Sequence, residues 1–149
     1  MKHFLIVVLA VLGFSSLAGA QKFSIGGGIT GSAGSGQTAQ IGASLQFTVG
    51  DLVKIGPIGV DLRVNADATF SSGTSIEIGV SPLATFQVAQ FRLYAGPSLK
   101  FFIPGGLGFG AAAGFNYPIA PGLNSYAEIN LTFAPFSSWA VRVGVQLSF

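Results

Sequence analysis

The sequence predicts an all-β fold, an eight-stranded antiparallel up-and-down transmembrane β-barrel. Three observations predict it. Eight segments alternate large apolar residues with small or polar ones at a period of two, the pattern of a strand whose successive side chains point to opposite faces. Charged residues make up only 8% of the chain, whereas soluble domains carry about 25%. Nearly all of those charges sit on the small, polar face rather than the apolar one, so the face that would meet water in a soluble sheet is the poorer candidate for the outside.

The strands follow one another in order. The first, residues 22–30, sets Phe23, Ile25 and Ile29 against Lys22, Ser24, Gly26, Gly28 and Thr30. The second, 40–49, sets Ile41, Ala43, Leu45, Phe47 and Val49 against Gln40, Gly42, Ser44, Gln46 and Thr48. In the third, 60–70, Val60, Leu62, Val64, Ala66, Ala68 and Phe70 alternate with Asp61, Arg63, Asn65, Asp67 and Thr69. The fourth, 76–88, opposes Ile76, Ile78, Val80, Ala84, Phe86 and Val88 to Glu77, Gly79, Ser81, Thr85 and Gln87. The fifth, 91–101, opposes Phe91, Leu93, Ala95, Leu99 and Phe101 to Arg92, Tyr94, Gly96, Ser98 and Lys100. The sixth, 107–117, places Leu107, Phe109, Ala111, Ala113, Phe115 and Tyr117 against a glycine-rich row, and the seventh, 128–133, places Ile129, Leu131 and Phe133 against Glu128, Asn130 and Thr132. The eighth, 139–149, has Trp139, Val141, Val143, Val145, Leu147 and Phe149 against Ala140, Arg142, Gly144, Gln146 and Ser148.

Turn chemistry separates them at 31–36, Gly50-Asp51, 71–73, 104–106, 118–122 and 135–138. The break at Ala89-Gln90 has no such residues and rests on a change of parity alone. Pro82 and Pro97 fall inside strands, where each removes a ladder hydrogen bond, so bulges or early strand ends are expected there.

Residues 1–20 read as a cleaved secretory signal peptide: Lys2 and His3 precede an apolar run, and Ala18-Gly19-Ala20 supplies small residues for cleavage. Residues 21–149 then form one transmembrane β-barrel domain, without a linker or a second composition regime. No stretch after the leader approaches the roughly 20 apolar residues of a spanning helix. The absence of cysteine excludes a disulfide framework and thiolate metal sites. Leaving Lys2 aside, six basic residues face five acidic ones, which gives no electrostatic footprint for a nucleic acid.

Which face points inward follows from the charges. Lys22, Asp61, Arg63, Asp67, Glu77, Arg92, Lys100, Glu128 and Arg142 all share the glycine- and serine-rich face, and only Asp51 and Lys54 fall in a turn. A bore of eight strands is just filled by side chains, and an outward apolar band is required by hydrocarbon and rejected by water. Outward aromatics sort into two levels, with Phe23, Phe47, Phe86, Phe91, Phe115, Tyr117 and Phe149 at one rim and Phe70, Phe101, Phe133 and Trp139 at the other. Paired aromatic girdles are a property of spanning barrels.

A terminal strand closing on Phe149, with Val145 and Leu147 on the same face, resembles the last strand of small bacterial outer-membrane barrels of the OmpA and OmpX type. The resemblance implies a location in the cell outer membrane, contact with its lipid, and a C-terminal insertion signal (Val145, Leu147, Phe149) read transiently by the barrel insertion machinery. A structural or scaffold role in the cell envelope is expected, because the inward charges nearly balance at five basic to four acidic. The inward charges Asp61, Arg63, Asp67, Glu77, Arg92, Lys100, Glu128 and Arg142 are expected to form a network that plugs the bore, with Glu128 pairing with Arg142 and Glu77 with Lys100. A narrow porin-like channel for water, ions or small solutes is the alternative, favoured by the glycine lining of the sixth strand. A secreted lipocalin-like carrier would need the apolar face inside and is disfavoured by the scarcity of charge.

Enzymatic chemistry is not expected, because the only histidine, His3, belongs to the leader. Asp61 and Asp67 lie about 20 Å apart along one strand by its rise. Asp67 and Glu77, nearly opposite across a hairpin, could hold a small cation, although Lys100 on the next strand is expected to neutralise them. No cofactor or metal is expected. The glycine runs 26–28 and 105–110 lack the following lysine and helix of a phosphate-binding loop.

Overall fold

The computed structural model describes residues 22–34, 37–71 and 73–149; the expected signal peptide lies outside the described residues. Eight strands follow in chain order: β1 (Lys22–Gly34), β2 (Gln37–Ile55), β3 (Ile58–Phe70), β4 (Thr74–Val88), β5 (Phe91–Ile103), β6 (Gly106–Ala120), β7 (Leu123–Ala134) and β8 (Ser138–Ser148). Each pairs antiparallel with the next, and β8 pairs with β1 to close the ring. The closing pair runs without a shift from Ser24↔Ser148 to Gly34↔Ser138. Beyond it, Phe23 and Phe149 exchange both backbone hydrogen bonds, at 3.0 and 2.9 Å. Closure leaves no free strand edge, which is the condition for a sheet to sit in lipid.

The strands are longer than the apolar alternation indicates, and two connections differ from expectation. Gly50-Asp51 is no turn. β2 passes through it, and the register moves from Val49↔Leu62 to Val53↔Val60, so two extra residues bulge from β2. Asp51 takes a φ of 56° there and its N–H donates to Asp61 Oδ1 at 2.9 Å. Glycine and aspartate tolerate positive φ in a bulge as readily as in a turn. Of the expected turn 31–36, the described residues 31–34 are likewise ladder, with Gly31↔Ile41 and Ser32↔Gln40 paired, because β8 supports β1 from its other side. At Ala89-Gln90 the connection is a hairpin closed by Val88↔Phe91, with Ala89 at φ 52°.

Neither proline ends or bulges its strand. On both sides of them β4 and β5 keep one register, Val80↔Leu99 and Ala84↔Ala95, and only the rungs between are missing. Pro82 therefore stands directly opposite Pro97. Two residues without N–H groups share one interruption, while their outer neighbours pair normally as Leu62↔Pro82 and Pro97↔Ala111.

Sidedness follows the alternation. Ile29, Leu45, Leu107 and Phe109 are among the large apolar side chains exposed on the outside. The buried set is dominated by polar residues, Asp61, Arg63, Asp67, Lys100, Glu128 and Arg142 among them. At the end of the barrel where Lys22 and Phe149 lie, here the near end, Phe23 contacts Phe47, and Phe91 contacts both Phe115 and Tyr117, with centroids at 6.2, 5.7 and 5.2 Å. Towards the far end Phe109 meets Phe133 at 6.4 Å.

Two substitutions check this description. Val143 lies mid-strand on the outside between Ile29 and Ala127, so Val143→Arg should cost about 2–4 kcal/mol on urea unfolding from lipid vesicles. A change below about 0.5 kcal/mol would mean that this face does not meet hydrocarbon. Ala89→Gly should raise stability by about 1 kcal/mol in the same measurement, since glycine carries no Cβ penalty in the left-handed region.

Candidate functional site

The bore holds the chain's chemistry, and the register decides which charges meet. Asp67 stands opposite Glu77, and Glu128 opposite Arg142. In a ring of eight, strands four steps apart face each other across the bore, so β3 faces β7 and β4 faces β8. Both diameters are bridged. Arg142 Nη2 donates to Glu77 Oε1 at 3.0 Å across one, and Arg63 Nη1 donates to Glu128 Oε2 across the other.

Arg142 is the hub. Its Nε donates to Asp67 Oδ2 at 2.8 Å and its Nη1 to Glu128 Oε1 at 2.6 Å, so one guanidinium joins carboxylates from three strands. The planar fork of arginine suits such divergent bonding. Glu128 in turn serves two arginines. Arg63 also donates from Nε to Thr48 Oγ1 at 3.1 Å and lies over the Tyr94 ring, 4.2 Å from its centroid. Lys100 sits 3.4 Å from Glu77 Oε1 and donates to Thr132 Oγ1 at 2.7 Å. Arg142 and Lys100 are each 1% exposed. Three cations and three anions balance here, as buried charges must if desolvation is not to exceed the attraction.

A second group lies at the near end. Arg92 Nη2 donates to Asp61 Oδ1 at 2.7 Å, to Asp51 Oδ1 at 3.1 Å and to Thr85 Oγ1 at 3.3 Å. Lys22 and Lys54 approach Asp51 Oδ2 at 3.6 and 3.4 Å. Both lysines are well exposed, so their pairs contribute little.

The eight inward charges singled out from the sequence are thus divided, with Asp61 and Arg92 at the near end and the other six at mid-height. The two pairs expected within the network, Glu128 with Arg142 and Glu77 with Lys100, are both present, and they are joined because Glu128 is shared with Arg63 and Glu77 with Arg142. Lys100 does not neutralise both Asp67 and Glu77: it reaches Glu77, while Arg142 takes Asp67. Asp51 escaped sequence reasoning, since its place beside Asp61 depends on the bulge. Asp61 and Asp67 fall in different groups.

At several glycines of the bore an added Cβ would meet the adjacent strand's backbone first and a neighbouring side chain next. Tyr94 is level with Gly114, where an added Cβ would lie 2.7 Å from the Tyr94 hydroxyl. Tyr126, Gly144 and Gly28 form one row across β7, β8 and β1, and Cβ atoms on the two glycines would lie 2.8 and 2.7 Å from the Tyr126 hydroxyl. Gly108 is covered by Phe102, 2.8 Å from such a Cβ. Gly108 and Gly114 of β6, the strand whose glycine lining favours the channel reading, therefore lie against aromatic rings. Leu83, fully buried, packs with Tyr94 and Ala112 beneath them. Two cavities flank this filling. One of about 380 Å³ opens at the near end beside Arg92, Asn116 and Gln146, and one of about 150 Å³ opens at the far end beside Asp67, Glu77 and Phe102.

These close approaches give a test. Gly144→Ala should destabilise the barrel by about 1–3 kcal/mol through overpacking. Gly31→Ala, whose nearest neighbour would be Gln40 O at 3.9 Å, should change it by less than about 0.5 kcal/mol. Equal costs in urea unfolding would mean that the inner wall at Gly144, where an added Cβ would meet Gly27 O and the Tyr126 hydroxyl, is not close-packed.

No protein-family model matches the chain, and no curated protein matches it in sequence. Solved structures do match its fold. Neisserial surface protein A superposes with a TM-score of 0.56 at 16% identity, covering 87% of this chain and 97% of that one. The attachment invasion locus protein of Yersinia pestis, Ail, superposes with a TM-score of 0.57 at 14% identity, covering 87% and 97%. The N-terminal β-barrel domain of Pseudomonas aeruginosa OprF superposes with a TM-score of 0.56 at 12% identity, covering 87% and 100%. The fold is that of the small eight-stranded outer-membrane barrels.

Proposed function

We propose that this chain is an integral barrel of a bacterial outer membrane with a scaffold role in the cell envelope, and that its charged network plugs the bore. The observation that carries the reading is the pair of diametric bridges, Arg142 to Glu77 and Arg63 to Glu128, lying between two cavities at opposite ends. A solute crossing the bore would have to part these buried ion pairs and displace Tyr94, Tyr126 and Leu83. On this reading residues 1–20 direct export and are removed, outer-membrane lipid surrounds the apolar wall, and the insertion machinery engages Val145, Leu147 and Phe149. No catalytic step is assigned to the chain. Its described residues include no histidine, and its carboxylates are committed to arginines and lysines.

Stability and current measured together test the plug. In a dry bore, Glu128→Gln strands Arg63 and weakens Arg142, and removing one partner of such a buried pair costs about 3–5 kcal/mol. The wild-type barrel should pass no steady current in planar bilayers. A water-filled channel would screen the charges, and the same substitution would then cost under about 1 kcal/mol and shift ion selectivity instead. That pair of results would replace the plug with a pore.

A further inference from the structure

The near-end cavity presents donors that the fold leaves unused. Its charged lining residues are Lys22, Arg92 and Asp61. Asp61 is committed, since its oxygens take the Asp51 N–H and Arg92 Nη2. Arg92 is not. All its side-chain hydrogen bonds leave from Nη2, so Nε and Nη1 keep their N–H groups without a partner among the described residues, and the side chain is 25% exposed. Gln146 lines the same cavity at 6% exposure. Its Oε1 accepts from Gln46 Nε2 at 3.0 Å, whereas its own Nε2 donates to nothing among the described residues and is not one of the sealed atoms of the bore. Asn116, 9% exposed, also lines the cavity, and because its Oδ1 is sealed and unpartnered, Nδ2 is the end left to meet it.

A smaller cavity of about 240 Å³ adjoins this one, sharing Lys22, Gln87 and Arg92 and adding Lys54 and Asp51. Across the two, the cations Lys22, Lys54 and Arg92 face the carboxylates Asp51 and Asp61, so the mouth carries one unbalanced positive charge. We propose that this cup binds a sugar acid, one carboxylate on a body of hydroxyl groups. The carboxylate accepts from the free N–H groups of Arg92 and from Lys22, in charge-assisted bonds about twice as strong as neutral ones. A single surplus charge suits a monoanion better than a phosphate, which carries about −1.5 to −2 at neutral pH. Hydroxyls both donate and accept, and the wall offers both partners. Gln146 and Asn116 supply amide donors; Gln87 and Asn124, whose amide nitrogens donate to Ala89 O and Ser148 Oγ, supply carbonyl oxygens. The cavity's 380 Å³ is the volume of about thirteen waters at roughly 30 Å³ each, room for one six-carbon sugar. Because Asp61 already shares Arg92, binding is expected at millimolar concentration.

The experiment uses the folded chain in micelles of an uncharged polyoxyethylene detergent, whose headgroup carries neither sugar nor phosphate. It is titrated with sodium D-glucuronate and followed by NMR of the Gln146 side-chain amide and the Arg92 Nε–H. Saturable shifts confined to the near end are expected, with affinity several-fold above that for D-glucose, which lacks the charge, for acetate, which lacks the hydroxyls, and for inorganic phosphate. Arg92→Gln should weaken binding about tenfold or more, the worth of a hydrogen bond to a charged group. If that variant does not fold, Lys22→Gln and Asn124→Ala, which leave Arg92 paired with Asp61, should each weaken it several-fold. Absence of saturation in the wild type, equal binding of glucose, acetate or phosphate, shifts centred on the far end, or unchanged affinity in the folded variants would each overturn the proposal. A bore that conducts would not affect this result, so failure of the plug and failure of the cup are distinguishable.

Discussion

Everything in this barrel depends on the backbone having nowhere else to bond. Hydrocarbon offers no partner to an N–H or a C=O, so a sheet can enter it only when its first and last strands pair. Here that pairing is β1 with β8, unbroken over its length and extended by the reciprocal bonds of Phe23 and Phe149. Once the ring is closed, each residue is either outside or inside. The outside must be apolar, which leaves the bore as the only place for charge. The scarcity of charged residues and their confinement to the inward rows are thus two consequences of one constraint.

Confinement creates the next problem. A bore of eight strands is too narrow to hydrate six mid-height charges freely, and an unpaired charge there is costly. The answer is a neutral network whose members come from different strands, with Arg142 joining Asp67, Glu77 and Glu128. Long side chains that cross the bore need room beside them, and glycine supplies it. Tyr94 lies over Gly114 and Tyr126 over Gly144 and Gly28, so the small residues of the inner wall are the counterpart of its large ones. Glycine in a strand gives up packing and order; in this bore the neighbouring ring restores the packing.

The sequence made the barrel legible because alternation is a local property that each strand displays by itself. Eight strands, their faces and their order all follow from it. The bulge at Asp51 was not legible, since Gly-Asp serves turns and bulges alike and only pairing with Asp61 decides between them. Pairs such as Glu77 with Lys100 could be found by counting back from a hairpin. Contacts across a diameter could not. Arg63 with Glu128 and Arg142 with Glu77 are 65 residues apart in sequence, and they meet only because closure sets strands four steps apart face to face. The glycine lining of β6 leaves plug and channel open for a related reason: a strand shows that a residue is small, and only its neighbour shows what fills the space.

The β4–β5 wall brings these levels together. Its ladder lacks the rungs around Pro82 and Pro97, and its hairpin turns through Ala89 in the left-handed region, so its backbone holds it less firmly than its neighbours. Placing both prolines at one rung confines the two missing donors to a single gap in the ladder. The remaining deficit is bridged from inside. Lys100 on β5 reaches Glu77 on β4 on the far side of the gap, and Arg92 on β5 reaches Thr85 on β4 on the near side. Each stitch belongs to one of the two charge groups, so the same side chains that fill the bore also clasp the strand pair whose own hydrogen bonds are interrupted. In a closed barrel a wall cannot be mended from the lipid side. The inward charges are therefore where a local loss of backbone bonding can be offset, and the position of the prolines between the two groups is consistent with that division of labour.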